Sequence, residues 1–166
     1  MLLVALPLAP LAAAVFSYFA RERPSMEKIN LAGFATTFLL AVLLCGQVLA
    51  GGVVSQWNGF LYADHLSALV ILLTATVALL CSAYAVGYLR EDERNGALAE
   101  EDGGGTATSK LRKYYTLTPL FVCSMLLVTL VNNLGAMWVA VEATTLASVF
   151  LVTFYGKVTS IEAAWK

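Results

Sequence analysis

Four long runs without a charged side chain limit what this chain can fold into. Three are Met1–Ala20, Ile29–Ala63 and Leu66–Leu89, and the fourth, Tyr114–Tyr155, is interrupted only by Glu142. Each run reaches or exceeds the ~20 apolar residues with which a helix crosses a bilayer. None shows the alternation of polar and apolar residues that a membrane β-barrel requires. Because the chain is 60% hydrophobic and only 13% charged, we predict an all-α, polytopic transmembrane helical bundle.

Helix-ending and helix-starting residues divide the runs into five complete spans and the start of a sixth. Gly51-Gly52 ends the second span, and Asp64 is a suitable N-cap for the third. Asn132-Asn133 separates the fourth span from the fifth, which begins near Gly135. The first four predicted spans cover residues 1–20, 31–50, 65–89 and 114–131.

The chain is predicted to form a single membrane domain, 1–166, in which 90–113 is a charged, glycine-rich loop. All Lys and Arg residues except Lys166 lie in the first, third and fifth connections between spans. Lys and Arg are enriched in cytoplasmic loops of membrane proteins. We therefore predict that the N-terminus is outside and that the 90–113 loop is cytoplasmic.

Two classes of function find no support in the sequence. Net charge is near zero, and no basic patch with interleaved aromatic residues predicts a nucleic-acid partner. Cys45, Cys81 and Cys123 lie singly in different apolar runs, without a C-x-x-C pair or a neighbouring histidine. We predict no cofactor and no metal site, and we interpret the cysteines as small buried apolar residues.

Glu142 is the first candidate for function, because it is the only charged residue inside the fifth predicted span. At ~1.5 Å per residue it lies roughly 10 Å below the outer end of its helix. A carboxylate in hydrocarbon is expensive and usually marks an ion or proton pathway, although a structural role is the alternative. Helical spacing places Trp138 and Thr145 on the same face, which makes Thr145 an accessory candidate. We expect this polar face to point into the bundle.

Lys166 is the second candidate, near the start of the predicted sixth helix. Thr159-Ser160-Ile161-Glu162 has the pattern of a capping box for that helix. Glu162 and Lys166 are also spaced four residues apart in the favourable order for an ion pair. Lys166 therefore either pairs with Glu162, extends to the cytoplasmic surface, or acts together with Glu142.

Asp64 and His65 are further accessory candidates at the start of the third span. Asp64 has the position of an N-cap, which is a structural role. His65 is the only histidine of the chain, and a histidine can exchange a proton at physiological pH. A residue beside a helix cap is more often a surface residue, so both interpretations stay open for His65.

Three segments carry a resemblance to a known family: LYADHLSALVILL, NNLGAMWVAVEATTLASVFLVTFY and TSIEAAWK. They resemble the antiporter-like proton-pumping subunits of complex I and membrane-bound hydrogenases, most of all the F component of hydrogenase-4. The resemblance implies that Glu142 and Lys166 form a pair that takes part in proton transfer. It also implies a non-catalytic subunit in a prokaryotic inner membrane, with other membrane subunits as partners. Family members are longer, so we expect this chain to be the N-terminal part of such a subunit.

Two other functions stay open. A subunit of a multisubunit sodium/proton antiporter would share the same motifs but would have no redox partner. A truncated structural membrane protein would contain the same spans and have no transport activity. A neighbouring gene for a nickel–iron hydrogenase large subunit would favour the redox-coupled function over the antiporter.

Overall fold

The computed structural model describes residues 1–95 and 107–153, with only the backbone of Ala107. It contains five helices, each long and apolar enough to cross a membrane, and one two-stranded sheet. The helices are α1 Leu2–Phe19, α2 Arg23–Gly51, α3 His65–Arg94, α4 Ala107–Leu130 and α5 Leu134–Val152; the strands are β1 Val54–Gln56 and β2 Leu61–Ala63. The chain is a multi-pass membrane protein, and the predicted five-span helical fold is confirmed. The predicted start of a sixth helix lies outside the described residues.

Helix α4 is central in the described part of the bundle, because it contacts all four of the other helices. Helix α2 packs against α1 and α3, and α5 packs mainly against α4. The core consists of fully buried aliphatic and aromatic side chains from α1 to α4, including Leu6, Phe34, Leu44, Ile71 and Leu126. Helix α5 adds little to this core, since its only buried side chains are Ala140 and Ala147.

A β-hairpin covers one end of the bundle, and the sequence analysis did not predict it. Strands β1 and β2 pair antiparallel, with Gln56 opposite Leu61. The turn between them contains Asn58 and Gly59, both with positive φ, at 54° and 86°. Asn-Gly between strands is a strong hairpin signal, because this turn needs residues that tolerate positive φ. The backbone N–H of Asn132 donates to Phe60 O at 2.8 Å, which ties the hairpin to the end of α4.

The two ends of the bundle differ in chemistry. We call the end that includes the hairpin, the start of α3 and the start of α5 the hairpin end. The opposite end, at which α1 and α3 end and α2 and α4 begin, is called the charged end. The Lys and Arg side chains of the described residues all lie at the charged end: Arg21, Arg23, Lys28, Arg90, Arg94, Lys110, Arg112 and Lys113.

Three predicted helix boundaries are wrong, all at the charged end. Helix α2 begins at Arg23 rather than Leu31, and Pro24 in its first turn suits a helix start. Helix α3 continues to Arg94, and α4 begins at Ala107 rather than Tyr114. The length of an apolar run reflects the thickness of the hydrocarbon layer. A helix can continue past that layer into the interface, because its backbone hydrogen bonds can form there as well. Of the predicted 90–113 loop, the described residues at both ends are largely helical, and 96–106 lies outside the description.

Helices α1 and α2 approach each other closely at Gly33. A Cβ atom built on Gly33 would lie 2.5 Å from Cβ of Ala13, well inside any normal contact distance. Small residues at such crossings let helix backbones come together in a membrane, where packing rather than hydrophobic burial drives association. Gly46, in the same helix, has no atom within 4 Å of the equivalent position.

We expect Gly33→Ala to destabilise the protein by about 1–3 kcal/mol, because the added methyl group overpacks the crossing and forces α1 away. Gly46→Ala is the matched control, and it should leave stability unchanged or raise it slightly, since alanine favours helix over glycine. Unfolding of both variants in detergent is the measurement. Adding Ala13→Gly should restore much of the stability lost in Gly33→Ala. Equal stability of the two single variants would contradict the close approach.

Candidate functional site

The start of α5 is fixed by a side-chain cap. Asn133 has an extended backbone, and its Oδ1 accepts a hydrogen bond from the Ala136 N–H at 3.1 Å. Asparagine is among the favoured residues at this position, since its side chain satisfies an N–H that the helix leaves unpaired. The cap explains why α5 begins directly after α4, and it sets the depth of every later residue in α5.

A narrow face of small residues packs α5 against α4. Ala140 and Ala147 are the buried side chains of α5, and Thr144 lies between them on the same face. Thr144 Oγ1 lies 3.1 Å from Ser124 Oγ of α4 and 2.9 Å from Ala140 O, so its proton has two acceptors within reach. Small residues with one hydroxyl contact are a usual composition for helix pairs in membranes.

Glu142 lies on the opposite side of α5. It follows Ala140 by two residues, which is about 200° around a helix of 3.6 residues per turn. The carboxylate is exposed, as are Trp138 and Thr145, so these three residues share an outer face of α5. The prediction that this face points into the bundle is therefore not met within the described residues. Lys166, the predicted partner of Glu142, lies outside them.

Thr145 connects the outer face to a mainly apolar cleft that also contains five hydroxyl-bearing residues, and we call it the hydroxyl-lined cleft. The cleft has a volume of about 480 Å³ and lies between α3, α4 and α5. Its hydroxyl-bearing residues are Thr74, Thr129, Thr144, Thr145 and Ser148. Thr145 Oγ1 donates to Val141 O at 3.2 Å, and Ser148 Oγ donates to Thr145 O at 2.7 Å. Because these protons are used within α5, the hydroxyl oxygens can still accept hydrogen bonds from groups in the cleft.

Asp64 and His65 lie at the hairpin end of α3, away from the depth of Glu142. Glu142 is eight residues into α5, about 12 Å along its axis. Asp64 Oδ1 accepts a hydrogen bond from the Ser67 N–H at 2.8 Å, which confirms the predicted N-cap. The hydrogen bond from the Ser67 backbone lowers the pKa of Asp64 below its ordinary value. His65 is exposed.

Across residues 1–95 and 107–153, no group of three His, Cys, Asp or Glu side chains could hold a metal ion.

Asp64→Ala should lower the stability of the folded protein modestly, whereas Asp64→Ser should retain most of it, because serine also caps helices. The pKa of Asp64 is lower in the folded state, so the stabilisation is present at neutral pH and is lost as pH falls through that lowered pKa. Unfolding at neutral and acidic pH is the measurement. Both variants remove the carboxylate, but only Asp64→Ser keeps a capping side chain. If proton movement changed in Asp64→Ala and not in Asp64→Ser, loss of the cap alone would explain the change. A loss of proton movement in both variants, at unchanged stability, would contradict a purely structural role for Asp64.

A cluster of ion pairs at the charged end was missed by the sequence analysis. The side chain of Glu27 in α2 is only 6% exposed and accepts from two arginines. Arg23 Nε donates to it at 2.8 Å, and Arg90 Nη2 of α3 donates at 2.6 Å. Arg23 also pairs with Glu93 of α3. Arg23 and Glu27 are four residues apart, which is a spacing that indicates an ion pair within a helix. The predicted second span begins only at residue 31, so the sequence prediction did not include this pair.

Two comparisons with known proteins bear on the chain. The family model of the N-terminus of chain 5 of NADH-ubiquinone oxidoreductase (complex I) matches residues 56–96, which cover the hairpin turn, β2 and α3 but only the last residue of β1. A "Hydrogenase-4 component F homolog" from Methylacidiphilum infernorum (isolate V4) is 30% identical over 109 residues. That alignment covers 66% of this chain and 21% of the relative, so the chain matches only about a fifth of the relative's length.

The family model ends before α4 and thus says nothing about Glu142. The matched residues contain the hairpin turn and the Asp64 cap of α3. The description of this model and the name of the relative agree with the resemblance carried by the sequence motifs. Together these two matches support the assignment of the chain to the antiporter-like subunit family of complex I and membrane-bound hydrogenases, and the matched family model is that of the N-terminal region.

Proposed function

We propose that this chain forms the N-terminal part of a membrane subunit that moves protons in a respiratory or hydrogenase complex. Redox chemistry in partner subunits would drive that movement. The family and the name of the relative support membership in such a complex. The five spans support its place in the bilayer. The position of the Lys and Arg residues at one end supports a cytoplasmic charged end and an outside N-terminus. The hydrogenase-4 relative supports a prokaryotic inner membrane.

The position of Glu142 carries the proposal. It lies within an apolar span and on the side of α5 that faces away from α4. A carboxylate on a lipid-facing surface would be costly, so the outer face of α5 requires cover from protein or a water-filled space. Either environment suits a carboxylate that exchanges a proton rather than one that packs in a core.

Lys166 supplies the second group in the proposed mechanism. Hydrocarbon surroundings favour a neutral carboxyl group, and a nearby ammonium favours an ionised one. A lysine that moves toward or away from Glu142 would therefore switch it between holding and releasing a proton. Ordered water could bridge the two side chains, so they need not touch. Thr145, one turn from Glu142 and at the edge of the hydroxyl-lined cleft, would help to hold such water.

Proton uptake by vesicles that contain the intact complex tests the proposal. Glu142→Gln removes the titrating group and keeps its shape, so the complex should assemble but move few protons. Thr145→Val keeps the carboxylate and removes one hydroxyl, so its effect should be smaller. Normal proton uptake by an assembled Glu142→Gln complex would reduce Glu142 to a structural residue.

A further inference from the structure

A second, larger cleft lies between α3 and α4 and runs toward the charged end; we call it the α3–α4 groove. Its volume is about 990 Å³, at the upper end of the roughly 300–1,000 Å³ of sites that hold sizeable small molecules. On the α3 wall it extends from Leu73 to Leu89, which is about 24 Å along the helix. One leaflet takes up about half of the ~30 Å of a bilayer's hydrocarbon core, so the groove is long enough for an acyl chain.

The groove opens on the outside of the described bundle. Leu73, Leu80 and Tyr84 line it, and they are 63%, 64% and 73% exposed. All three lie in a helix that is apolar enough to cross a membrane. Hydrocarbon tails can cover such side chains without a protein partner, because lipid is as apolar as leucine.

The polarity of the groove changes along its length. Leu73 and Val77 line the part nearer the hairpin end, whereas Tyr84, Tyr88 and Tyr114 line the part nearer the charged end. Tyrosine is enriched where the membrane meets water, because its ring is apolar and its hydroxyl group is polar. The groove therefore runs from the interior of the bilayer to the interface on the charged side.

Lys110 lies at the interfacial mouth of the groove. The α4 wall includes Tyr114 and Thr118, and Lys110 is one turn before Tyr114 on the same face of the helix. Lys110 is only 8% exposed, and among residues 1–95 and 107–153 it takes part in none of the ion pairs. Burial of a charge without an opposite charge is costly. A lipid phosphate at the mouth of the groove would compensate the charge of Lys110.

The α3 wall has the opposite charge at this mouth. Glu91 and Asp92 follow Tyr88 by three and four residues, so they continue the face of α3 that lines the groove. Glu91 lies 3.9 Å from Arg94, but both side chains are exposed, and such a pair contributes little. A second negative charge on a headgroup would be repelled here, whereas an ammonium group would be attracted.

The two charged walls lie at about the same depth. Leu89 of α3 and Leu111 of α4 belong to one buried cluster, which places Lys110 near the level of the two carboxylates. The mouth therefore presents a cation on one side and carboxylates on the other. A headgroup that contains both a phosphate and a primary ammonium group matches this arrangement.

We propose that the α3–α4 groove binds a phosphatidylethanolamine molecule from the leaflet at the charged end. The acyl chains lie along the apolar part of the groove, and the glycerol esters lie level with the tyrosines. The phosphate pairs with Lys110, and the ammonium group faces Glu91 and Asp92. This lipid site does not depend on whether Glu142 exchanges a proton.

Photo-cross-linking of the intact complex tests the site. The complex is reconstituted in phosphatidylcholine vesicles that contain a small fraction of phosphatidylethanolamine with a diazirine in one acyl chain. After illumination, mass spectrometry of the digested chain locates the label. We expect it on the peptides of α3 and α4 that contain Leu80 and Phe121, which line the groove. Unlabelled phosphatidylethanolamine should compete for this labelling several-fold better than phosphatidylglycerol, whose headgroup has no ammonium.

Lys110→Gln tests the phosphate contact. Labelling of the groove should fall by about tenfold, because a hydrogen bond between charged groups is lost. Lys110→Arg should retain most of the labelling, since it keeps the positive charge. Lys113→Gln is the matched control, because Lys113 is exposed and lies off the groove face of α4, and it should leave labelling unchanged. Equal labelling of Lys110→Gln and Lys113→Gln would overturn the phosphate contact.

A bulky side chain inside the groove tests the position of the acyl chains. Val77→Trp fills the groove at a half-exposed position and should abolish the labelling. Leu69→Trp is the control, because Leu69 is an exposed residue of α3 that does not line the groove. Persistent labelling of Val77→Trp, or equal competition by phosphatidylglycerol, would overturn the proposal. Absence of label from both α3 and α4 would also overturn it and would indicate that protein covers the groove.

Discussion

Proton translocation by the intact complex should fall by about two orders of magnitude in Glu142→Gln, and adding Lys166→Met should cost little more. A positioned group that accepts and donates a proton typically contributes about 10²–10⁴-fold to a rate. Lys166 is proposed to act only through the charge state of Glu142. Once the carboxylate is gone, the lysine has nothing left to bias, so the two losses should not multiply.

Two controls separate this effect from a loss of assembly. The amount of assembled complex in each variant is measured independently of proton uptake. Glu162→Gln makes the same chemical change at a carboxylate that the sequence predicts to cap a helix, and it should leave translocation near normal. If the losses in Glu142→Gln and Lys166→Met multiplied in the double variant, the two residues would act independently and the proposed pair would be wrong.

Glu27→Gln should lower the free energy of unfolding by about 2–3 kcal/mol. Removing one partner of a buried ion pair costs about 3–5 kcal/mol, because an uncompensated charge stays behind. The loss here should be smaller, since the side chain of Arg90 is 58% exposed and water can replace part of its pairing. Arg23, only 22% exposed, would keep Glu93 as a partner.

Glu22→Gln is the matched control for that change. Glu22 lies just before the start of α2, is exposed, and makes no side-chain cap bond. Its replacement should change stability by no more than about 0.5 kcal/mol. Unfolding in detergent at constant pH and salt compares the two variants. An equally small effect of both would mean that the contacts of Glu27 are replaced by water at no cost.

The five spans could be predicted from sequence because hydrocarbon thickness fixes a minimum apolar length. The helix ends at Arg23 and Arg94 could not, because beyond the hydrocarbon a helix follows its own hydrogen bonds and caps. The hairpin was missed for a related reason. The hairpin lies between the second and third predicted spans, where hydropathy predicts no element, although Asn58-Gly59 carries a turn signal that is independent of hydrophobicity.

For the site, spacing alone placed Trp138, Glu142 and Thr145 on one face of α5. It could not give the direction of that face, because α5 is apolar on nearly every side and shows no single buried stripe. The small residues Ala140 and Ala147 are the signal that was available for the face that packs against α4. The Glu27 cluster joins residues from two helices, and pairing of that kind requires knowledge of which helices are neighbours.

Infrared difference spectroscopy of the intact complex tests most directly whether Glu142 exchanges a proton. The carboxyl C=O band of a protonated glutamic acid is compared between resting and turning-over complex in H₂O and D₂O. We expect a band that changes on turnover, shifts in D₂O, disappears in Glu142→Gln and persists in Glu162→Gln. The same band with unchanged amplitude in Glu142→Gln would contradict a role for Glu142 as a proton carrier.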